Sequence, residues 1–211
     1  MIIGDDEQLD AIAEQYSSQD QAVFPWAPPG VASPFGNARA PTPAAILAEA
    51  ATLTFPASLA RWSGTDPDLP EPPLGEWPMR SAVEETGLTV ASDVLSGRFF
   101  RLVHILLIPT THSWEVPAYL RWGDWNGCPP PAQHVAALRH WHERFGVELV
   151  GMDRDTLNLR ATRRPADREA ALALAHEQYR YCQDIIDQGV GSLSELAALL
   201  MNKDWWFFWW D

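Results

Sequence analysis

Lysine is almost missing from this chain. Of fifteen basic residues fourteen are arginines, Lys203 is the exception, and none precedes Arg39. Set against twenty-eight Asp and Glu residues, they leave a formal charge of −13. Such a balance repels nucleic-acid phosphates and anionic membrane surfaces unless a local patch reverses it. The only adjacent basic pair is Arg163-Arg164. The sequence therefore argues against nucleic acid and membrane as partners and is compatible with a basic protein partner. Cysteine is scarce too. Cys128 and Cys182 lie 54 positions apart with no CxxC spacing, which reads as two reduced thiols in a cytoplasmic protein, with a disulfide or a shared metal as the alternative. No apolar run approaches the roughly 20 residues of a membrane helix, and "MIIGDDEQLD" lacks the positive stretch of a secretory leader. Also missing are a phosphate-binding Gly loop ("GVG" at 189–191 has no Lys), a G-x-S-x-G elbow and a basic-flanked aromatic RNA motif. The sequence implies no cofactor and assigns no catalytic residue.

The residues that are present favour a packed domain: 46% are hydrophobic and 20% charged. Twelve of eighteen prolines precede residue 80. Proline removes backbone donors, so residues 1–85 read as a wrapping arm containing Trp26, Trp62 and Trp77, with room for two short helices. "DDEQLDAIAEQY" aligns Leu9, Ile12, Ala13 and Tyr16, and "TPAAILAEAATL" offers Thr42 as N-cap before Pro43. Residues 86–211 read as an α+β core. "RFFRLVHILLIP" is apolar on both alternating faces and predicts a strand covered on both sides. "PPAQHVAALRHWHERF" predicts a helix stopped by Gly146, "VELVGM" and "TLNLRATR" a strand pair around "DRD". Two more helices follow, N-capped by Asp167 and Ser192 (with Glu195 completing a capping box), and "WWFFWW" closes as a strand. The order β-α-β-β-α-α-β predicts a ferredoxin-like sheet with helices on one face. In "WWFFWW" three aromatics point to each face, so the second face is expected to be covered by the Pro/Trp-rich N-terminal arm. On "TLNLRATR" the residues Thr156, Asn158, Arg160 and Thr162 are expected on a solvated outer face.

Two loops are candidate ligand cradles. "RWGDWNGCPPPAQH" gathers Trp122, Asp124, Trp125 and Asn126 among glycines and prolines just before a helix that carries His134. The plainer alternative is two tryptophans capping the core and turn hydrogen bonds from the polar pair. "YRYCQDIIDQG" places an inward Cys182 beside Asp184, Asp187 and Gln188; that set could serve acid/base work, but no base stands ready to activate the thiol. A small inward cysteine is also common core material. His140 and His142 lie two apart on one helix and so do not share a face, which makes "HWH" a poor metal pair. His134 falls within the apolar stripe of Ala137, Leu138, Trp141 and Phe145. No metal site is expected.

The segments "VHILLIPT", "VPAYLRWGDWNGCPPPAQHVAALRHWHERFGVELVG", "DTLNLRAT", "REAALALAHEQYRYCQDIIDQGVGSLSELAALLM" and "DWWFFWWD" together resemble the bacterial family of domain of unknown function 4253 over about residues 86–211. The resemblance implies a soluble bacterial protein and carries no functional residue with it. Two function classes follow from the residues themselves. The preferred one is a non-enzymatic binding or interaction module, an acidic partner in the manner of an immunity or inhibitor protein, matched to a basic effector by charge. The other is a small-molecule enzyme or accessory factor with a pocket of Trp122, Trp125, His134, Cys182 and Asp184.

Overall fold

The computed structural model describes residues 1–20, 40–61, 71–79, 87–93 and 95–210. Trp26 and Trp62 lie outside them. The strands are β1 (Ile2–Gly4), β2 (His104–Ile105), β3 (Glu148–Met152), β4 (Thr156–Arg160) and β5 (Trp205–Trp209). The helices are α1 (Asp6–Asp20), α2 (Pro43–Ala50), α3 (Val116–Leu120), α4 (Pro131–Phe145), α5 (Arg168–Tyr181) and α6 (Leu193–Asn202). One five-stranded mixed sheet runs in the order β2-β1-β3-β4-β5, with β1 parallel to β3 and the other pairings antiparallel. The α+β class stands, but the ferredoxin-like order does not describe this sheet. There the last strand would lie beside the 104–105 strand, whereas β5 pairs with β4 and β1 takes the place next to β2. The three-residue "IIG" of β1 is too short to register as a strand pattern in the sequence.

Most local expectations hold because capping and periodicity act locally. Thr42, Asp167 and Ser192 each accept a hydrogen bond from the backbone N–H three residues on, at 3.2, 2.9 and 3.3 Å. Gly146 ends α4 at φ 60°, a left-handed backbone that favours glycine. Trp206, Phe208 and Trp210 are buried, and α4 and α5 close over them. Trp141 of α4 stacks on Phe208 with centroids 5.5 Å apart, and Tyr181 of α5 meets Phe208 and Trp210 edge-on at 5.2 and 5.3 Å.

The covering of the other face differs from expectation. Within the described part of residues 1–85, β1 joins the sheet and α1 packs beside it, whereas α2, Phe55 and residues 73–74 lie on the helices. Phe55 packs edge-on against Trp141 at 5.1 Å. Ile46 and Ala50 of α2 form a small cluster with Ala118, Ala132 and Val135. Pro73 and Leu74 accept hydrogen bonds from the backbone N–H of Leu193 and Ser194, both at 2.9 Å, at the start of α6. Among the described residues, the short 3-10 turn Thr89–Ala91 lies over the second face at Asn158 and Gly151. Asn158 is fully buried beneath it, accepting from Val90 N–H at 3.0 Å and hydrogen-bonding Thr89 Oγ1. Gly151 makes room for the turn, since a Cβ there would come within 2.5 Å of Val90. The 156–162 face is therefore not solvated at its centre: a carboxamide can anchor a passing backbone as well as face water. Trp205, Phe207 and Trp209 stay half-buried.

The 98–109 segment is the clearest departure. Only His104–Ile105 form a strand, Phe99 makes an isolated bridge to Ser92, and Phe99, Leu102, Ile105 and Leu107 are exposed. Apolar content predicted burial on both sides, but β1 occupies the interior position and leaves β2 on the sheet edge, where it has one neighbour within the chain.

This asymmetric burial predicts a graded response along β5. Phe208→Ala should destabilise the fold by about 3–5 kcal/mol, the usual cost of truncating a buried ring, and Phe207→Ala by clearly less. Chemical denaturation of the two variants checks it, and equal losses would contradict the assigned faces.

Candidate functional site

The tryptophan loop begins where α3 ends. Arg121 closes that helix in the left-handed region (φ 51°), and the loop continues through Gly123, Asp124 and Asn126 at φ 120°, 75° and 39°. Asp and Asn tolerate this backbone better than other side chains, which is what their placement here supplies. Gly123 is required by space as well, because a Cβ would meet the Pro129 carbonyl oxygen at 2.1 Å and the His134 ring at 2.8 Å. Two backbone hydrogen bonds brace the loop, from Asp124 N–H to Pro129 (3.0 Å) and from Cys128 N–H to Trp125 (2.6 Å). Trp122 roots it, buried and donating its indole N–H to the Asp153 carbonyl at 2.8 Å.

Beneath the loop lies a sealed polar centre. His134 is fully buried on α4. Its Nδ1 lies 2.5 Å from Tyr181 Oη and its Nε2 3.3 Å from Cys128 Sγ. The rings of Trp122 and Trp210 flank it at 4.8 and 5.5 Å. Burial lowers the His134 pKa to about 3, so the ring is neutral at ordinary pH. Burial also pushes the Cys128 thiol and the Tyr181 phenol up, with the neighbouring cysteines adding to both shifts. A neutral imidazole has one N–H and one lone pair. One of the two ring nitrogens carries the hydrogen and the other the lone pair, so between Tyr181 and Cys128 the ring can donate on one side and accept on the other. All three groups are thus uncharged and hydrogen-bonded, the reverse of an activated cysteine, which needs a thiolate beside a cation.

On the solvent side the loop forms one wall of an open groove of about 650 Å³. Gly123, Asp124, Trp125 and Asn126 line it together with Ala11, Glu14 and Gln15 of α1 and Arg154 of the β3–β4 turn. Helix α1 is fastened there by two contacts: Arg121 lies over the Tyr16 ring at 4.7 Å, and Gln8 donates to Asp153 Oδ2 at 3.3 Å. The exposed carboxylates of Asp6, Asp10 and Glu14 follow one another at four-residue spacing along α1, so they form a stripe leading into the groove.

Of the residues singled out from sequence, the groove joins Asp124, Trp125 and Asn126. Trp122 and His134 support the loop from inside. Cys182 is buried elsewhere in the core, its thiol donating to the Trp209 carbonyl at 3.0 Å, and burial raises its pKa as well. Asp184, Asp187 and Gln188 sit on the π-helical turn Ile185–Val190 and its approach, where sequence had a loop; Asp187 and Gln188 are exposed, and Gln188 donates to Asp184 at 2.9 Å. Sequence reasoning missed Glu14, Gln15 and Arg154. The outward acidic stripe of α1 was a usable signal, but nothing local tells that this helix faces residue 124. Among the described residues no three His, Cys, Asp or Glu side chains gather as a metal-holding group.

Two buried groups give stability opposing pH slopes. Asp153 is raised to about 6 by burial and by the charge of Asp155. The folded state then holds its proton where the unfolded chain has lost it, so this group's contribution falls as pH rises from about 4 to 6. His134 acts oppositely: the unfolded chain binds its proton below about 6.5 and the folded state does not, so stability falls as pH drops from 6.5 towards 3. Asp153→Asn should therefore steepen the rise of stability between pH 4 and 6, as read from denaturation midpoints. An unchanged slope would contradict the burial of this carboxyl.

Comparison with known proteins adds the family. A family model described as domain of unknown function (DUF4253) matches residues 104–211, about half of the chain. No curated protein and no solved structure matches. The matched stretch runs from β2 through β5 and includes the tryptophan loop and the sealed centre, whereas β1, α1 and α2 precede it. Its groove is built from five residues of the matched stretch and three of the helix ahead of it, and the chain belongs to the DUF4253 family.

Proposed function

We propose that this protein is a non-catalytic binding module that takes an arginine- or lysine-bearing segment of a partner protein in the groove between α1 and residues 123–126. The carrying observation is the face of the groove. A half-exposed indole, Trp125, stands with the carboxylates of Glu14 and Asp124 on a braced loop. An indole face and nearby carboxylates attract a guanidinium or ammonium group through cation–π and charge-assisted contacts. Arg154 in the same lining favours an acidic or carboxy-terminal group in the segment beside the cation. The charge of −13 speeds encounter with such a partner, and the stripe on α1 guides it. The backbone hydrogen bonds that brace the loop, from Asp124 to Pro129 and from Cys128 to Trp125, lower the ordering cost of binding.

Catalysis has less support. The nucleophile and base nearest the loop, Cys128 and His134, are buried and neutral. Of the five residues considered for a small-molecule pocket, the groove takes in Trp125 alone.

A short arginine-rich peptide should bind in calorimetric titration and weaken as salt rises. Because any acidic protein attracts a polycation, the discriminating comparison uses charge-matched variants. Glu14→Gln with Asp124→Asn should weaken binding about tenfold, the effect of roughly 1.4 kcal/mol. Glu143→Gln with Glu169→Gln, both exposed and away from the groove, should leave binding within about twofold at equal net charge. Equal losses from the two pairs would refute the groove as the site.

A further inference from the structure

The outer strand β2 lacks the protection that sheet edges usually carry. An unpaired edge offers N–H and C=O groups to any other strand, and native edges discourage this with lysine, proline or another charge. Residues 102–108, "LVHILLI", contain none of these. His104, the one polar residue among them, is held by Asp6 at 2.6 Å. Exposure alternates along the stretch. Leu106 and Ile108 pack against the core, whereas Val103, Ile105 and Leu107 are exposed, the last two by 68% and 88%. Phe99 and Leu102, exposed as well, lengthen the apolar run at one end.

The backbone points the same way. Leu106 N–H donates to the Met1 carbonyl at 2.9 Å, so the peptide groups of this residue face β1. Alternate residues of a strand turn their N–H and C=O to opposite edges, so those of Val103, Ile105 and Leu107 face away from the sheet. The outward backbone groups and the exposed row of side chains therefore belong to the same three residues.

We propose that β2 joins this chain to a second copy of itself, edge to edge and antiparallel, across a two-fold axis at Ile105. The row is self-complementary in that register. Ile105 faces its own counterpart, and Val103 of one copy faces Leu107 of the other, so the facing pairs are all apolar. Arg101 of one copy meets Pro109 of the other, and no two like charges oppose each other. The two five-stranded sheets become one, and neither keeps a bare edge at β2. An aliphatic or phenyl side chain removes on the order of 100 Å² of apolar surface when buried, so the five exposed here supply on the order of 500 Å² per copy. A stable interface takes roughly 800 Å² from each partner, and the paired backbones and flanking residues make up the difference. Two chains of charge −13 repel, but residues 95–109 hold Arg98 and Arg101 and no carboxylate, so repulsion is weak along the seam. The seam shares no residue with the α1 groove, and either proposal stands if the other fails.

Sedimentation velocity on the full chain, over concentrations from about 1 to 300 μM, tests it. The mass should rise from 23.6 kDa towards twice that value, with a dissociation constant on the order of 10 μM, as suits an interface of modest size. Added salt should tighten the dimer by screening the net charge, the reverse of its effect on groove binding. Ile105→Lys sets two like charges face to face and should weaken association about tenfold or more, whereas Leu74→Lys, also at an exposed apolar site, should leave it within about twofold. The register has its own test. Val103→Glu with Leu107→Lys puts opposite charges across the seam and should associate at least about tenfold more tightly than Val103→Lys with Leu107→Lys. The proposal is overturned if the chain stays monomeric throughout, which would leave the edge bare or covered by the chain itself. It is overturned equally if salt weakens the dimer, if Ile105→Lys associates like the parent, or if the two double variants associate alike. Should Ile105→Lys not fold, the parent and the double variants decide.

Discussion

The contact on which the rest of this structure depends is the seating of β5 beneath α4 and α5. Trp206, Phe208 and Trp210 enter from the sheet; Trp141 and Tyr181 meet them from the helices. Aromatic side chains bury roughly 150–250 Å² each, so this layer is a large share of the apolar surface removed from water. It also sets positions. Trp210 touches both Trp122 and His134, so the last ring of the strand supports the floor of the tryptophan loop. Tyr181 stands between the core and His134 and gives the buried imidazole its phenol partner.

The Cys128–His134–Tyr181 centre is best understood as structure. Three polar groups beneath a loop would each be costly if left without partners; joined in a row they are satisfied. The arrangement holds the loop close above α4, and Gly123 permits that approach. Residues that would signal chemistry on a surface here fix the shape of the surface above them. The groove is correspondingly stiff on the loop side, while its other wall is an amphipathic helix fastened through Tyr16 and Gln8.

Legibility in the sequence followed the range of the interactions. Features decided within one turn or one strand were readable: the caps at Thr42, Asp167 and Ser192, the stop at Gly146, the 148–160 strand pair, and the alternation of "WWFFWW". Features decided by distant neighbours were not. Strand β1 has three residues, yet it displaces β2 to the edge and leaves Leu102 and Leu107 exposed, so an apolar run that looked like an inner strand is a rim. Asn158 looked like a solvent-facing ladder position because nothing nearby says that residues 89–91 fold over it. At the site, sequence found Asp124, Trp125 and Asn126 through their density in a Gly/Pro loop, but the facing Glu14 lies 110 positions away.

The central claim is that β5 is clamped, inner face and backbone together, into the cooperative core. Residue-resolved hydrogen exchange on the full chain addresses it directly. The amides of β4 and β5 bonded across the ladder from Leu157↔Phe208 to Leu159↔Trp206 should exchange only through global unfolding, as slowly as those at the centre of α4. Fast exchange along β5 while α4 stays protected would mean that the aromatic strand opens on its own, and this account of the fold and of the groove would be contradicted.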